Sequence, residues 1–306
     1  MAVPPPVPRG VTTAPPGRGR RRVEPVYYWF LLPTLLLFTG LVLGPALVGI
    51  FYSFTDYVGF GEWRFTGFTN YVALFSDPAI RDSYTFTLGL ALVTVVLAQS
   101  VALALALGLT SRVRFLTALR SVFVIPMVIS GIVAAYVFSY LFSNTLPSLA
   151  TWAGFGPLEE SILGNPDLAW ISIMLVSAWQ TIPGALLIYI AGLLSIPGEL
   201  YEAASIDGAS AWRRFRSITL PLVSGYLVIN TILGVKGYLN AYDIIKGLTD
   251  GGPGTATNSV AMTIFSGYSG GDYAYQMSNA TIFFVLTVVV SLLQLLATRG
   301  RGLRLS

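Results

Sequence analysis

The residues best placed to do chemistry lie in one short polar stretch, YEAASIDGASAWRRFRSITLP (residues 201–221), set between two long apolar runs. It offers two carboxylates, Glu202 and Asp207, and three arginines, but no thiol or imidazole, because the whole chain lacks Cys and His. That inventory excludes thiol catalysis, disulfides, iron–sulfur clusters and the usual zinc ligand sets. No catalytic group and no metal site is expected. What the stretch can do is present a shaped, charged surface. Ala203 and Ala204 give a narrow helix face that another protein could approach closely, with the Glu202 carboxylate beside it. The other use open to it is an interfacial loop whose arginines hold lipid phosphates.

Such a surface has to be carried by a bent element. Pro197 suits a helix start, and acids in the following turn complement the helix dipole. The spacing predicts a helix to about Ile206, a stop at Asp207 and Gly208, where glycine accepts the left-handed cap conformation, and a restart with Ser210 as N-cap. A second piece, AWRRFRSI, leads to Pro221. The expected unit is therefore a helix–turn–helix bracket over residues 197–221.

The chain around it has 306 residues, 54% hydrophobic and 10% charged, where a soluble domain is about 25% charged. That composition suits a bilayer. Six stretches reach the ~20 apolar residues a membrane helix needs: 27–54, 84–109, 119–142, 168–194, 218–239 and 279–297. Lys and Arg are retained on the cytoplasmic side. With both termini inside, that side receives Arg112, Arg114, Arg120, Arg213, Arg214, Arg216 and the arginines of both tails, while the outside keeps Arg64, Arg81 and Lys246. The expected topology is N-in/C-in, with the polar stretch in the cytoplasm between spans four and five.

Residues 1–24, Pro-rich and then basic, read as a disordered cytoplasmic tail. Residues 25–298 read as the transmembrane domain, and 299–306 as a basic cytoplasmic tail. The net charge of +4 is scattered between apolar segments, so no nucleic-acid partner is expected. Outside, residues 55–83 suggest a short amphipathic segment with Tyr71, Leu74 and Phe75 on one side at the membrane interface. Turn residues fill the connection that begins at 141, and glycine clusters after Asp243 imply a bent path rather than a continuous helix.

The polar stretch resembles the EAA loop of the membrane subunits of bacterial ABC importers. That pattern is E-A-A, three residues, G, nine residues, I, one residue, L-P, and it is met here by Glu202-Ala203-Ala204, Gly208, Ile218 and Leu220-Pro221. The flanks GFTNYVALFSDP, AWQTIPGALLIYIAGLLSIPGELYEAASIDGAS and GLTDGGPGTATNSV are similar to the carbohydrate-uptake subfamily, permeases of the maltose and glycerol-3-phosphate type. The resemblance covers roughly residues 27–297. It implies an all-α integral membrane protein with the six-helix architecture of a type I ABC importer permease, in the bacterial cytoplasmic membrane. It also implies that Glu202, Ala203, Ala204, Asp207 and Gly208 form a coupling helix docking into a cytoplasmic ATPase dimer. Glu202 would be the polar contact, the alanines the packed face and Gly208 the turn.

The chain has no G-x-x-x-x-G-K-[ST] phosphate loop, and GGPG lacks the Lys and hydroxyl that hold phosphate and magnesium. It is therefore expected to be a transport subunit that binds no cofactor itself, with ATP and Mg used by the partner ATPase. The further partners implied are a second, homologous permease subunit, an extracytoplasmic solute-binding protein, a sugar substrate and membrane lipid.

A sugar path needs amides, hydroxyls and aromatic faces. The helices beside the polar stretch supply Ser177, Thr181 and Gly184 on span four, and Gly234, Lys236, Tyr238 and Asn240 on or beside span five. In permeases of the maltose type these helices hold the sugar, which the resemblance carries to Ser177, Thr181, Gly184, Gly234 and Tyr238. The small residues serve helix packing equally well, and Lys236 either lines a path, snorkels outward or pairs with Asp243. The alternative function, an ion-coupled secondary transporter of a small polar solute, would need ionisable groups at mid-membrane. Lys236 alone approaches that. A membrane enzyme would need paired carboxylates, and the acids lie mainly in loops.

Overall fold

Apolar runs without competing polar side chains satisfy their backbone internally as helices, and the computed structural model follows that rule over the residues it describes, 25–110 and 116–298. The expected tails lie outside the described residues. By internal contacts the chain divides between Val48 and Gly49. The first unit carries α1 (Pro25–Phe38), a π turn (Thr39–Leu43) and the start of α2 (Gly44–Tyr52).

The second unit contains α3 (Thr69–Ser76), α4 (Pro78–Thr110), α5 (Leu116–Val128), α6 (Gly131–Tyr140), α7 (Leu146–Ala153), α8 (Ala169–Leu194) and α9 (Gly198–Ile206). It continues with α10 (Ala211–Arg214), α11 (Leu220–Leu239), α12 (Asp243–Leu248), α13 (Val260–Gly270) and α14 (Tyr273–Thr298). Among the described residues six stretches are long and apolar enough to cross a membrane: Trp29–Tyr52, Pro78–Thr110, Gly131–Ala153, Ala169–Leu194, Ala211–Leu239 and Tyr273–Leu296.

Several boundaries differ from expectation for local reasons. The second span begins at Pro78 because Asp77 caps it, its Oδ1 accepting from the Ala79 N–H at 2.9 Å, and Pro at the first turn forfeits no bond. The expected third span, 119–142, is two helices. Pro126 withholds an N–H inside α5, Ser130 is extended (ψ 137°), and α6 starts afresh at Gly131. The Ile129 carbonyl freed by this break accepts from Gln180 Nε2 at 2.8 Å. At its far end that helix continues through a π turn and α7 to Ala153, closed by Gly154 at φ 67°, where a loop from 141 was expected.

The core sits between α4 and α8, with α11 laid against both. Ala91, Ala98, Ala102 and Ala106 line the buried face of α4, small residues that let helices approach closely. Leu186 and Tyr189 of α8 and Val223 of α11 cluster with Ala102 and Ala106, Tyr238 and Leu239 of α11 with Ala91 and Ala98, and Ile173 and Val176 of α8 with Leu90. The three residues expected on one face of α3 differ in burial. Leu74 is 2% exposed and the Tyr71 hydroxyl meets Ser53 Oγ at 2.6 Å, but Phe75 is 80% exposed. The protein itself, not only an interface, takes up the other two. Between α11 and α14 the glycine-rich connection is bent as expected, through α12, a turn over 249–259 and α13.

Candidate functional site

The EAA segment forms α9, the turn that ends it and the start of the next helix. Pro197 is the N-cap residue and Glu199 lies in the first turn. The C-terminus closes as a Schellman motif: the Gly208 N–H donates to Ser205 O at 3.1 Å and the Ala209 N–H to Ala204 O at 2.9 Å. Gly208 has φ 69° and no atom lies within 4 Å of where a Cβ would be, so conformation, not crowding, requires glycine there. Ser210 then caps the restart, its Oγ accepting from the Arg213 N–H at 3.3 Å.

No residue of α9 is buried. Glu199, Glu202, Ala203 and Ile206, spaced i, i+3, i+4, i+7, make one exposed face. Ile206 is 87% exposed, and the Glu202 and Asp207 carboxylates form no ion pair among the described residues. Ala203 and Ala204 do not share that face, since Ala204 turns inward and is half-buried. Consecutive helix positions point about 100° apart. Sequence reasoning also passed over Ile206, although its spacing from Glu199 and Glu202 marks it.

The second half of the expected bracket is not a separate helix. α10, a π turn (Phe215–Thr219) and α11 run as one helical stretch, Ala211–Leu239. The wide turn lies just before Pro221, whose ring would otherwise crowd the carbonyl four residues back. α9 is bonded to this stretch twice. Tyr201 and Thr219 hydroxyls meet at 2.8 Å, and Arg214 Nη1 donates to Ser205 Oγ at 2.9 Å. Through Ser195–Pro197 it is also continuous with α8.

Those two helices border a cavity of about 300 Å3. Thr181 and Gly184 from α8, and Gly234 and Tyr238 from α11, line it. The Thr181 and Tyr238 hydroxyls are hydrogen-bonded to each other. Gly234 also meets a packing demand, for a Cβ there would lie 2.9 Å from Val95 Cγ2 on α4.

The other expected path residues are elsewhere. Ser177 is 2% exposed and its Oγ has no partner among the described residues. Lys236 and Asn240 face a different groove, against Phe283 and Thr287 of α14. Neither forms part of the cavity, because they lie on the opposite side of α11 from Gly234 and Tyr238. Lys236 makes no ion pair with Asp243; among the described residues the ion pairs are Arg81–Asp82 and Lys246–Asp250.

Four polar side chains complete the cavity region: Gln99, Gln180, Asn230 and the adjoining Tyr189. Tyr189 OH donates to Gln99 Oε1 at 2.6 Å, Gln99 Nε2 to Asn230 O at 3.1 Å, and Asn230 Nδ2 to Ala185 O at 3.1 Å. This network ties α4, α8 and α11 together. A lone glutamine inside the apolar run LGLALVTVVLAQSVALALALGL was the available signal, since a polar residue inside a membrane segment faces the bundle interior.

Comparisons with known proteins agree with this arrangement. Residues 100–301 match the family model described as binding-protein-dependent transport system inner membrane component. The multiple sugar-binding transport system permease protein MsmF of Streptococcus mutans is 33% identical over 273 residues, covering 88% of this chain and 94% of that protein. The trehalose/maltose transport system permease protein MalF of Thermococcus litoralis is 34% identical over 281 residues, covering 90% and 94%. Among solved structures, a bacterial ABC transporter involved in import of the acidic polysaccharide alginate superimposes with a TM-score of 0.79 at 21% identity, over 90% of this chain and 95% of that one. The six candidate spans among the described residues, the EAA helix and the match over residues 100–301 make one conclusion: the chain belongs to the binding-protein-dependent transport system inner membrane components, the multi-pass permease subunits of ABC importers.

Proposed function

We propose that the chain is the permease subunit of an ATP-driven importer and forms part of the path for a sugar, an oligosaccharide, delivered by an extracytoplasmic binding protein. Sugar transport is supported by the likeness to MsmF and MalF, permeases of sugar transport systems, and a binding protein by the family's dependence on one. The chain is a transport subunit, with ATP hydrolysis left to separate ATPase components that use ATP and Mg. In this reading both termini are cytoplasmic, so α9 faces the ATPase dimer, and a second permease subunit completes the path.

The observation that carries the proposal is the placing of α9. It is a helix with no buried residue, at the joint between the two helices that wall the cavity. A push on α9 reaches α8 through the covalent link and Ala211–Leu239 through the bonds at Arg214 and Thr219. Both cavity walls then move as one body, which would let this subunit rock against a second one, as alternating access requires. Glu202, Ala203 and Ile206 would meet the ATPase, with Asp207 and Gly208 shaping the turn. Thr181, Gly184, Gly234 and Tyr238 would line the sugar path. Mild-detergent purification of the tagged chain, with mass spectrometry of its companions and an uptake assay, tests this. Recovery of an ATPase and a second permease, lost when Glu202 and Gly208 are replaced, is the expected result. A chain that purifies alone and transports without ATP overturns it.

A further inference from the structure

A second cavity lies at the opposite end of Ala211–Leu239 from α9. It has a volume of about 530 Å3 and is formed where α12, the 249–259 turn and α13 fold back on one another. Its wall combines an aromatic surface with a polar rim. Tyr242 and Phe265 place their ring centroids 4.8 Å apart, tilted by 48°, and Phe265 is 58% exposed. Around the rings stand Lys246, Asp250, Thr255 and Asn258. The Lys246 ammonium is held above its ordinary value by its hydrogen bond to Asp250, and the two side chains offer both donors and an acceptor. Among the described residues neither the Asn258 amide nor the Thr255 hydroxyl is bonded to another side chain. An aromatic pair that merely faced lipid would not sit in a concave wall of charge, amide and hydroxyl.

We propose that this cavity is a second sugar subsite, which holds one ring of an oligosaccharide outside the transmembrane cavity. Aromatic faces take the C–H face of a pyranose, while the carboxylate, ammonium and amide take its hydroxyls. The two cavities follow one another along the chain, with Tyr238 lining the inner one and Tyr242 the outer one. The importer thus favours saccharides long enough to use both. This rests on the sugar-importer reading.

The test uses the complete importer in proteoliposomes, with maltose, trehalose, maltotriose, maltotetraose, raffinose and xylotriose as probes. Uptake is measured at saturating liganded binding protein and reported as the ratio of tri- or tetrasaccharide to disaccharide rate, which cancels differences in the amount of folded protein. Phe265→Ala and Asn258→Ala should each lower that ratio about tenfold, the equivalent of ~1.4 kcal/mol, and Phe265→Trp should restore it. Unchanged ratios in the alanine variants overturn the subsite alone, as does a Phe265→Trp importer no better than Phe265→Ala. If the wild-type importer turns over ATP yet carries none of the six probes, the sugar-importer reading fails and the subsite with it.

Discussion

Gly208 separates a conformational role from a contact role in the coupling turn. Its φ of 69° and the empty space around its missing Cβ mean that any substitution pays only for the left-handed backbone, about 1–2 kcal/mol for alanine. Asparagine tolerates that region better. The Schellman bonds at Gly208 and Ala209 depend on the turn, and a helix of 9 residues is too short to persist in water without such ends. A cost of that size lowers the ratio of closed to open α9 about 5- to 30-fold. A partner that recognises only the closed form then binds weaker by up to the same factor. Titration of labelled ATPase onto the permease pair in nanodiscs should therefore rank the variants Gly208, then Gly208→Asn, then Gly208→Ala, with Gly208→Val no better than alanine. Were the ATPase packed on the glycine itself, affinity would fall with side-chain volume. Gly208→Asn binding more weakly than Gly208→Ala refutes the conformational argument.

Two further outcomes follow from the same geometry. Tyr201→Phe removes the hydroxyl bonded to Thr219, a loss of about 0.5–1.5 kcal/mol; ATPase assembly should persist while ATP consumed per sugar imported rises, and an unchanged ratio argues against this bond as a transmission point. Gly234→Ala should cost about 1–3 kcal/mol by overpacking against Val95, seen as a lower Tm, and Val95→Ala should recover most of it in a double-mutant cycle. Additive effects there would show that Gly234 is not a packing contact between α4 and α11.

The bracket's first helix, its stop at Asp207 and its restart at Ser210 were all legible, because proline, glycine and serine each impose a local backbone geometry. The existence of six apolar spans was legible for the same reason, since length and hydropathy are properties of a window. What escaped was set by tertiary partners. The break at Ile129–Ser130 is tolerated because Gln180 arrives from α8 to satisfy the freed carbonyl, and Pro126 alone does not announce that. Lys236 and Tyr238 are two residues apart and were expected on one path. The helical rotation between them sends one to the cavity and the other to α14.

The most consequential difference is the continuity of Ala211–Leu239. A second hinge before Pro221 would let a push on α9 bend the chain locally and dissipate. As built, the 29 residues form one stretch about 43 Å long at 1.5 Å per residue, and the π turn passes Pro221 without breaking it. The two bonds from α9 land at Arg214, just before that turn, and at Thr219, its last residue. The stretch is thus gripped over more than one turn, so it resists pivoting about either bond. Farther along, Asn230, Gly234 and Tyr238 face the inner cavity. Displacement at the EAA turn must therefore appear at the cavity wall as movement of a rigid rod. The polar stretch and the cavity-lining residues of α11 belong to one body, although most of that body reads in sequence as featureless apolar helix.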